Sequence, residues 1–300
     1  MTLPLPSQNV VYPFTTSTAL ARERSIELVQ LNDKSLGVHK LSSPKVLTHR
    51  VVKPPAPSQS DAPADQIPVE AWEAFYPAGS INPSAPIKGG FGFYLSGPPQ
   101  FSEELNKNGA VEAVMGYEVM FEEGWQWAKG GKLPGVFGGM GDFAYRCTGG
   151  RSDDRCKCFD IRLMWRADGL GELYTYLPMN ETNSTQLLAV PPFSRQNPDS
   201  GFSVGRGAWT FRPGRWTKVA IRVKLNDVGA ANANAGELEL WIDGKSVISV
   251  TGLIHRDDPA SHIKGMHIQT FFGGYAPDWA CPKDQRAWFA SVSGAVIRSA

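Results

Sequence analysis

Residues 158–177 read Cys-Phe-Asp-Ile-Arg-Leu-Met-Trp-Arg-Ala-Asp-Gly-Leu-Gly-Glu-Leu-Tyr-Thr-Tyr-Leu. Two runs in which polar and apolar residues alternate flank the glycine-containing segment 167–171, and this pattern predicts a β-hairpin. Successive side chains on a strand point to opposite faces. The pattern therefore predicts an apolar face of Ile161, Leu163, Trp165, Leu173 and Leu177, and a polar face of Asp160, Arg162, Met164, Arg166, Glu172, Tyr174 and Tyr176.

The polar face of this hairpin carries carboxylate, guanidinium and phenol groups, which is an unusual surface for a pair of strands. It fits an exposed outer sheet, and it fits the floor of a polar groove. The hairpin alone leaves both interpretations open.

Short alternating runs separated by Gly and Pro recur through the rest of the chain, at 90–95, 113–121, 216–225, 238–242, 247–250, 266–272 and 288–292. Asp243-Gly244, between two of these runs, is a type I′ hairpin signal. No stretch keeps a helical period over three turns. The sequence therefore predicts an all-β fold, a sandwich or jelly roll.

Composition limits the classes of partner. The chain has 300 residues, and the 42% that are hydrophobic are ample for a folded core. Because 30 Lys and Arg balance 29 Asp and Glu, no global field indicates a nucleic-acid partner or a membrane surface. No apolar run is long enough to span a bilayer. Balanced charge and the lack of a zipper pattern make a monomer the expected state.

The first 69 residues differ in composition from the rest. Residues 53–68 are rich in Pro, Ser and Asp, which suits an extended loop or linker. We expect an N-terminal extension over residues 1–69, packed on or leading into a β domain over residues 70–300. The start of the chain lacks the basic and apolar regions of a signal peptide.

Three of the four cysteines, Cys147, Cys156 and Cys158, cluster, and Cys281 stands apart. Their spacings could suit a zinc site, but no His lies nearby in the sequence, and we predict no metal. A disulfide from Cys147 to Cys156 or Cys158 is slightly favoured. Buried free thiols are a close alternative.

Two further segments could carry chemistry. Residues 121–139 are rich in glycine and contain Lys129 and Lys132; glycine lets backbones approach closely, but the spacing is not that of a phosphate loop. A surface loop with two solvated lysines is an equally good interpretation. Residues 265–274 predict a strand with His267 and Gln269 on one face. His267 is then either a structural residue or part of a cleft.

The residue types favour one reaction. No nucleophile elbow, zinc-protease helix or dinucleotide fingerprint is present, and no carboxylate pair for glycoside hydrolysis stands out. Removal of the acidic C5 hydrogen of a uronate sugar requires cations that neutralise the adjacent carboxylate. It also requires a proton-exchanging group, which a tyrosine can be when cations favour its phenolate. Lys, Arg and Tyr on one groove therefore predict an anionic polysaccharide substrate and β-elimination.

Several segments together carry a family resemblance: Tyr-Glu-Val-Met-Phe at 117–121, Lys-Gly-Gly-Lys-Leu-Pro-Gly at 129–135, Arg-Leu-Met-Trp-Arg at 162–166, Gly-Glu-Leu-Tyr-Thr-Tyr at 171–176, and His-Ile-Gln-Thr-Phe-Phe-Gly-Gly at 267–274. In this order they resemble the family 14 polysaccharide lyases, which include alginate lyases of marine molluscs and chloroviruses and glucuronan-type lyases of fungi. The similarity covers roughly residues 70–298. Segments 89–93 and 203–207 are most similar to the fungal branch.

The resemblance implies a β-jelly-roll sandwich of two antiparallel sheets with a concave substrate groove, and β-elimination without a cofactor or metal. The family's catalytic residues fall on Lys132, Arg162, Tyr174 and Tyr176. We expect the groove to bind substrate through Asp160, His267, Gln269, Lys129 and Arg166. Because the substrate class is extracellular, the resemblance also implies extracellular action, although the sequence shows no signal peptide.

The chain departs from the alginate lyases at Asp160, where they keep a serine. A carboxylate there would repel a uronate unless it binds sugar hydroxyls, is protonated or pairs with Arg162. This departure favours glucuronan as the substrate, with alginate next.

Three other functions fit the same fold. A non-catalytic carbohydrate-binding jelly roll would have the groove without turnover. A hydrolase of neutral glucan would depend on a carboxylate pair. A purely structural sandwich is opposed by the Lys, Arg and Tyr set.

Overall fold

The computed structural model describes residues 9–297 apart from residues 25, 61–62, 150, 152 and 230–235. The start of the chain, which bears on the signal-peptide expectation, lies outside the described residues over 1–8, as do residues 298–300. The described strands are β1 (Val10–Thr15), β2 (Glu27–Leu28), β3 (Val38–His39), β4 (Val51–Val52), β5 (Ala71–Tyr76), β6 (Phe91–Leu95), β7 (Glu112–Phe121), β8 (Gly130–Gly139), β9 (Cys158–Arg166), β10 (Gly171–Tyr176), β11 (Arg195–Asn197), β12 (Gly201–Val204), β13 (Trp216–Lys224), β14 (Gly236–Ile242), β15 (Lys245–Leu253), β16 (His262–Phe272) and β17 (Gln285–Ile297). The described helices are α1 (Thr18–Arg24), α2 (Pro99–Asn106) and α3 (Glu181–Leu188).

The strands form two sheets. One has nine strands, in the order β15-β14-β13-β7-β17-β1-β2, with β5 paired to β17 and β4 to β5. The other has eight strands, in the order β11-β12-β10-β9-β8-β16-β6-β3. The long strands pair antiparallel, and neighbours distant in sequence, such as β8 and β16, are typical of a jelly roll. The predicted fold class is confirmed.

One apolar cluster lies between the two sheets. Leu163 and Trp165 of β9 and Leu173 of β10 belong to the same buried cluster as Val119 of β7 and Ile221 of β13. Burial of a large apolar side chain contributes about 1.5–3 kcal/mol. The apolar side chains that alternate along these strands in the sequence therefore form the core that holds the two sheets together.

The predicted hairpin is formed by β9 and β10. Arg162 lies opposite Tyr174, and Asp160 lies opposite Tyr176. In the turn, Asp168 and Gly169 have φ values of 59° and 75°, a left-handed conformation that Gly adopts freely and Asp tolerates better than most residues. This pairing places the polar side chains of both strands on one face.

The N-terminal segment contributes strands to both sheets. β1 pairs with β17, β4 with β5, and β3 with β6. The buried ring of Phe14 lies 4.9 Å from that of Phe101 in α2. Residues of the proposed N-terminal extension therefore pack into the sandwich itself.

A disulfide joins Cys147 and Cys158, whose Cα atoms are 5.7 Å apart. This confirms one of the two favoured pairings and ties Cys147 to the start of β9. Cys156 is free and exposed, and Cys281 is free and buried. Over the described ranges, no helix is long and apolar enough to cross a bilayer.

Candidate active site

A groove of about 520 Å³ lies on the face of the eight-stranded sheet that points away from the core. Strands β8, β9, β10 and β16 supply its floor, and loop residues contribute to its rim, namely Asn82, Pro83, Ser84, Thr148, Gly149, Arg151, Gly273, Gly274, Tyr275 and Trp279. Its lining includes Lys132, Arg162, Met164, Arg166, Tyr174, Tyr176, Gln269 and Phe271. The polar face of the hairpin is therefore a groove floor and not an exposed outer sheet.

The glycine-rich segment supplies the central strand of this floor. Residues 130–139 are buried throughout as β8, so the surface-loop interpretation is wrong for them. A Cβ on Gly131 would lie 2.1 Å from the Trp165 ring, and one on Gly135 would lie 1.9 Å from the carbonyl oxygen of Ile161. Glycine is required here because β8 and β9 lie so close. The register shifts between Lys132 and Gly135.

Lys132 lies at the centre of the groove floor. Its Nζ is 3.3 Å from the centroid of the Tyr174 ring and 5.2 Å from that of Tyr176, and it donates to Met164 Sδ at 3.1 Å. Among the described residues, no carboxylate forms an ion pair with it. Burial, and then repulsion from Arg162 and Arg166, hold the pKa of Lys132 well below its usual value. An anion bound in the groove would favour its charged form.

Arg162 is held by neutral acceptors. Nη1 donates to Gln269 Oε1 at 3.0 Å, Nη2 to the Gln269 carbonyl at 2.6 Å, and Nε to the Leu133 carbonyl at 3.2 Å. These contacts fix the guanidinium without cancelling its charge. An oriented guanidinium is well suited to a carboxylate, and Gln269 lines the groove as predicted.

The two tyrosines lie beside these cations. The rings of Tyr174 and Tyr176 are 5.2 Å apart in an edge-to-face arrangement. Burial raises the pKa of both phenols. For Tyr174 a hydrogen bond with Ser200 and the charge of Arg166 oppose this shift. The groove thus places two phenols beside two buried basic side chains, Lys132 and Arg162.

Asp160 and His267, two of the predicted substrate-binding residues, form a buried pair beneath the groove lining. His267 Nδ1 lies 2.7 Å from Asp160 Oδ2, each residue is 2% exposed, and the His267 ring stacks on Tyr94 at 4.1 Å. Burial lowers the pKa of His267, although the charge of Asp160 opposes this. Asp160 pairs with His267 and not with Arg162.

Arg166 lines the groove as predicted and belongs to an ion-pair network that the sequence did not reveal. Glu172, fully buried, forms ion pairs with Arg166 and with Arg206, whose Nε lies 2.6 Å from Oε2. Ser203 Oγ donates to the same Oε2 at 2.7 Å. Burial opposes ionisation of Glu172, but the two arginines outweigh it and lower the pKa of this carboxyl.

Lys129, predicted to bind substrate, lies at the margin of the groove and is not among the residues that line it. Its half-exposed side chain pairs with Asp278, and its Nζ is 6.0 Å from the Trp279 ring. Trp279 itself lines the groove, as does Tyr275, which is 88% exposed.

Sequence reasoning missed several polar residues of the rim because they lie on separate loops and on the short edge strand β11, without a shared pattern. They are Asn82, Thr148, Arg151, Arg195, Asn197 and Ser200. Arg151 and Arg195 form no ion pair within the part of the chain that the structure describes. Alternation along strands, which identified the floor, carries no information about loops.

Comparison with known proteins identifies the family. A family model described as polysaccharide lyase 14 matches residues 65–292. The fold is similar to that of the alginate lyase from Aplysia kurodai, at 27% identity and a TM-score of 0.69 over 86% of this chain and 90% of that chain. It is also similar to alginate lyase vAL-1 from Chlorella virus, at 20% identity and a TM-score of 0.60 over 88% of this chain and 93% of that chain. No curated protein matches. The chain therefore belongs to polysaccharide lyase family 14.

Proposed function

We propose that this polysaccharide lyase cleaves a polyuronate by β-elimination and leaves an unsaturated uronate at the new chain end. The observation that carries the proposal is the pair of buried cations, Lys132 and Arg162, which border the tyrosine pair without a carboxylate partner among the described residues. A buried charge without a counter-ion is costly. A groove that keeps two such charges is suited to an anionic sugar.

The chemistry follows from this arrangement. β-Elimination removes the hydrogen at C5, forms a double bond between C4 and C5, and breaks the bond from C4 to the glycosidic oxygen, which takes up a proton. Lys132 and Arg162 neutralise the carboxylate and stabilise the enolate-like intermediate. Tyr174, which faces Lys132, exchanges the proton with the sugar, and Tyr176 shares or orients that transfer.

The preferred uronate is a further part of the proposal. The preference for glucuronan depended on repulsion by Asp160, and this carboxylate is buried against His267, so that argument no longer applies. Similarity to the Aplysia kurodai alginate lyase supports alginate as the first substrate, with glucuronan second.

A substrate panel tests the proposal. Alginate, glucuronan and a neutral glucan are each mixed with the protein, and the ultraviolet absorbance of unsaturated ends is followed. We expect absorbance with a polyuronate and none with the glucan. Binding without absorbance would support a carbohydrate-binding protein instead, and reducing sugar without absorbance would support a hydrolase.

Tyr174→Phe tests the proton transfer. We expect a loss of about 10²–10⁴-fold in turnover, the usual contribution of a positioned acid or base. Tyr145→Phe is the matched control, because Tyr145 does not line the groove, and its turnover should not change. Full activity of Tyr174→Phe in a folded protein would remove Tyr174 from the mechanism.

A further inference from the structure

Arg155 is a buried cation that the mechanism above does not use. It lies in the loop before β9 and is 5% exposed. Its Nε donates to the Arg151 carbonyl at 2.7 Å. Nη1 and Nη2 are buried and make no hydrogen bond within the described part of the chain, and no described carboxylate forms an ion pair with Arg155. Burial of such an unpaired guanidinium reduces the stability of the folded protein, so its presence points to a function for Arg155.

The guanidinium lies over an aromatic ring of the candidate active site. Arg155 Cζ is 4.8 Å from the centroid of the Tyr176 ring. This contact has a counterpart at Tyr174, whose ring faces Lys132 Nζ at 3.3 Å. Lys132 thus lies closest to the Tyr174 ring, and Arg155 lies closer than Lys132 to the Tyr176 ring. Arg155 is not among the residues that line the groove, so any effect on substrate passes through the tyrosine pair, and chiefly through Tyr176, the ring that it contacts.

We infer that Arg155 is a positioning residue that stabilises the phenolate form of Tyr176 and so enables the tyrosine pair to exchange protons. A cation over a ring is attracted to its π face. The attraction grows on ionisation, because the phenolate charge spreads into the ring and an opposite charge nearby favours the ionised form. The inference rests on the proposed lyase function.

Several other groups act on the same pair. From the strands, the charged groups are Lys132 of β8, Asp160, Arg162 and Arg166 of β9, and Glu172 of β10. Burial raises the pKa of Tyr176, and Arg155 is among the cations that oppose this rise. The competing explanation is that Arg155 only anchors its loop through the Arg151 carbonyl.

A titration without substrate separates these explanations. A difluorotyrosine placed at position 176 brings the phenol pKa into an accessible range, and its phenolate absorbance is followed with pH. Arg155→Met should move the midpoint upward by about one pH unit, and Arg155→Lys should move it less. Arg146→Met is the control, because Arg146 lies in the same loop, is largely exposed and pairs with Asp154. An unchanged midpoint in Arg155→Met would overturn the inference.

Turnover provides the second readout, on whichever polyuronate the wild type cleaves. Arg155→Met should lower kcat about tenfold at fixed pH, equivalent to one pKa unit, and difluorotyrosine at position 176 should recover most of that loss. A loss that difluorotyrosine does not relieve indicates a loop anchor and overturns the inference. If Arg155→Met does not fold, Arg155→Gln takes its place in both measurements. The titration needs no substrate, so its result is independent of whether the lyase proposal holds.

Discussion

The two sheets carry their charged residues in opposite ways. On the outer face of the nine-stranded sheet, Arg222 pairs with Glu112 at 2.6 Å and with Glu237 at 2.7 Å, and Lys224 pairs with Glu237 at 3.0 Å. Arg222, Lys224 and Glu237 are partly exposed, Glu112 is buried, and each cation has a carboxylate. In the groove, Lys132 and Arg162 are buried and have none in the described ranges.

The difference separates paired charges, which stabilise the fold, from unpaired charges, which we propose to bind substrate. Cross-strand ion pairs on the outer face stabilise neighbouring strands modestly. Lys132 has lost its water and repels Arg162 and Arg166, so its charge disfavours the free protein. Glu172 is intermediate, because it lies on the groove side but is paired with Arg166 and Arg206.

Glu172→Gln should produce the largest effect on stability. It leaves Arg166 and Arg206 without their carboxylate in a buried setting, and loss of one partner of a buried pair costs about 3–5 kcal/mol. Urea unfolding of wild type and variant measures the difference. A loss below about 1 kcal/mol would mean that water screens this network as it screens a surface pair.

Lys132→Met should separate activity from stability. The methionine fills the space of the lysine stem without its charge, so we expect turnover to fall about 10²–10³-fold while the free energy of unfolding stays equal or increases. Absorbance assays and urea unfolding test the two parts. Lys129→Met, at an exposed lysine paired with Asp278, should retain activity. A marked destabilisation of Lys132→Met would contradict the view that its charge opposes folding.

A fall in pH should lower the free energy of unfolding of the wild type more than that of Glu172→Gln. The folded state lowers the pKa of Glu172, so its stabilisation is complete above the unfolded value of about 4.3 and is lost as pH falls through the folded pKa. Unfolding free energies at neutral and acidic pH measure this loss. Equal losses in both proteins would show that other carboxyl groups carry the acid sensitivity.

Glu237→Gln on the outer face should have the smallest effect. Its partners, Arg222 and Lys224, stay partly hydrated when the carboxylate is removed, so we expect a loss of about 0.2–1 kcal/mol and unchanged turnover. The same urea and absorbance measurements apply. A loss as large as that of Glu172→Gln would remove the distinction between the two faces.

The sequence by itself determined the fold class and the two faces of the hairpin that supplies part of the groove floor. Alternation in residues 158–177 predicted both faces of the hairpin, because side-chain direction on a strand follows from position alone. The family pattern pointed to Lys132, Arg162, Tyr174 and Tyr176, and the structure brings these four side chains together. Nothing in the amino-acid sequence indicated that the glycine-rich segment is a buried strand, since glycine suits both a loop and close strand packing.

Only the tertiary structure decided which charged side chains have a partner of opposite charge. Asp160 meets His267 across 107 positions of sequence, and Glu172 meets Arg206 across 34. Arg155, three residues before Cys158 of the disulfide, reaches Tyr176 at the end of β10. Sequence patterns encode the direction of each side chain, whereas pairing between distant segments depends on sheet order and loop placement. That pairing sets burial and charge, and hence which residues are available to a substrate.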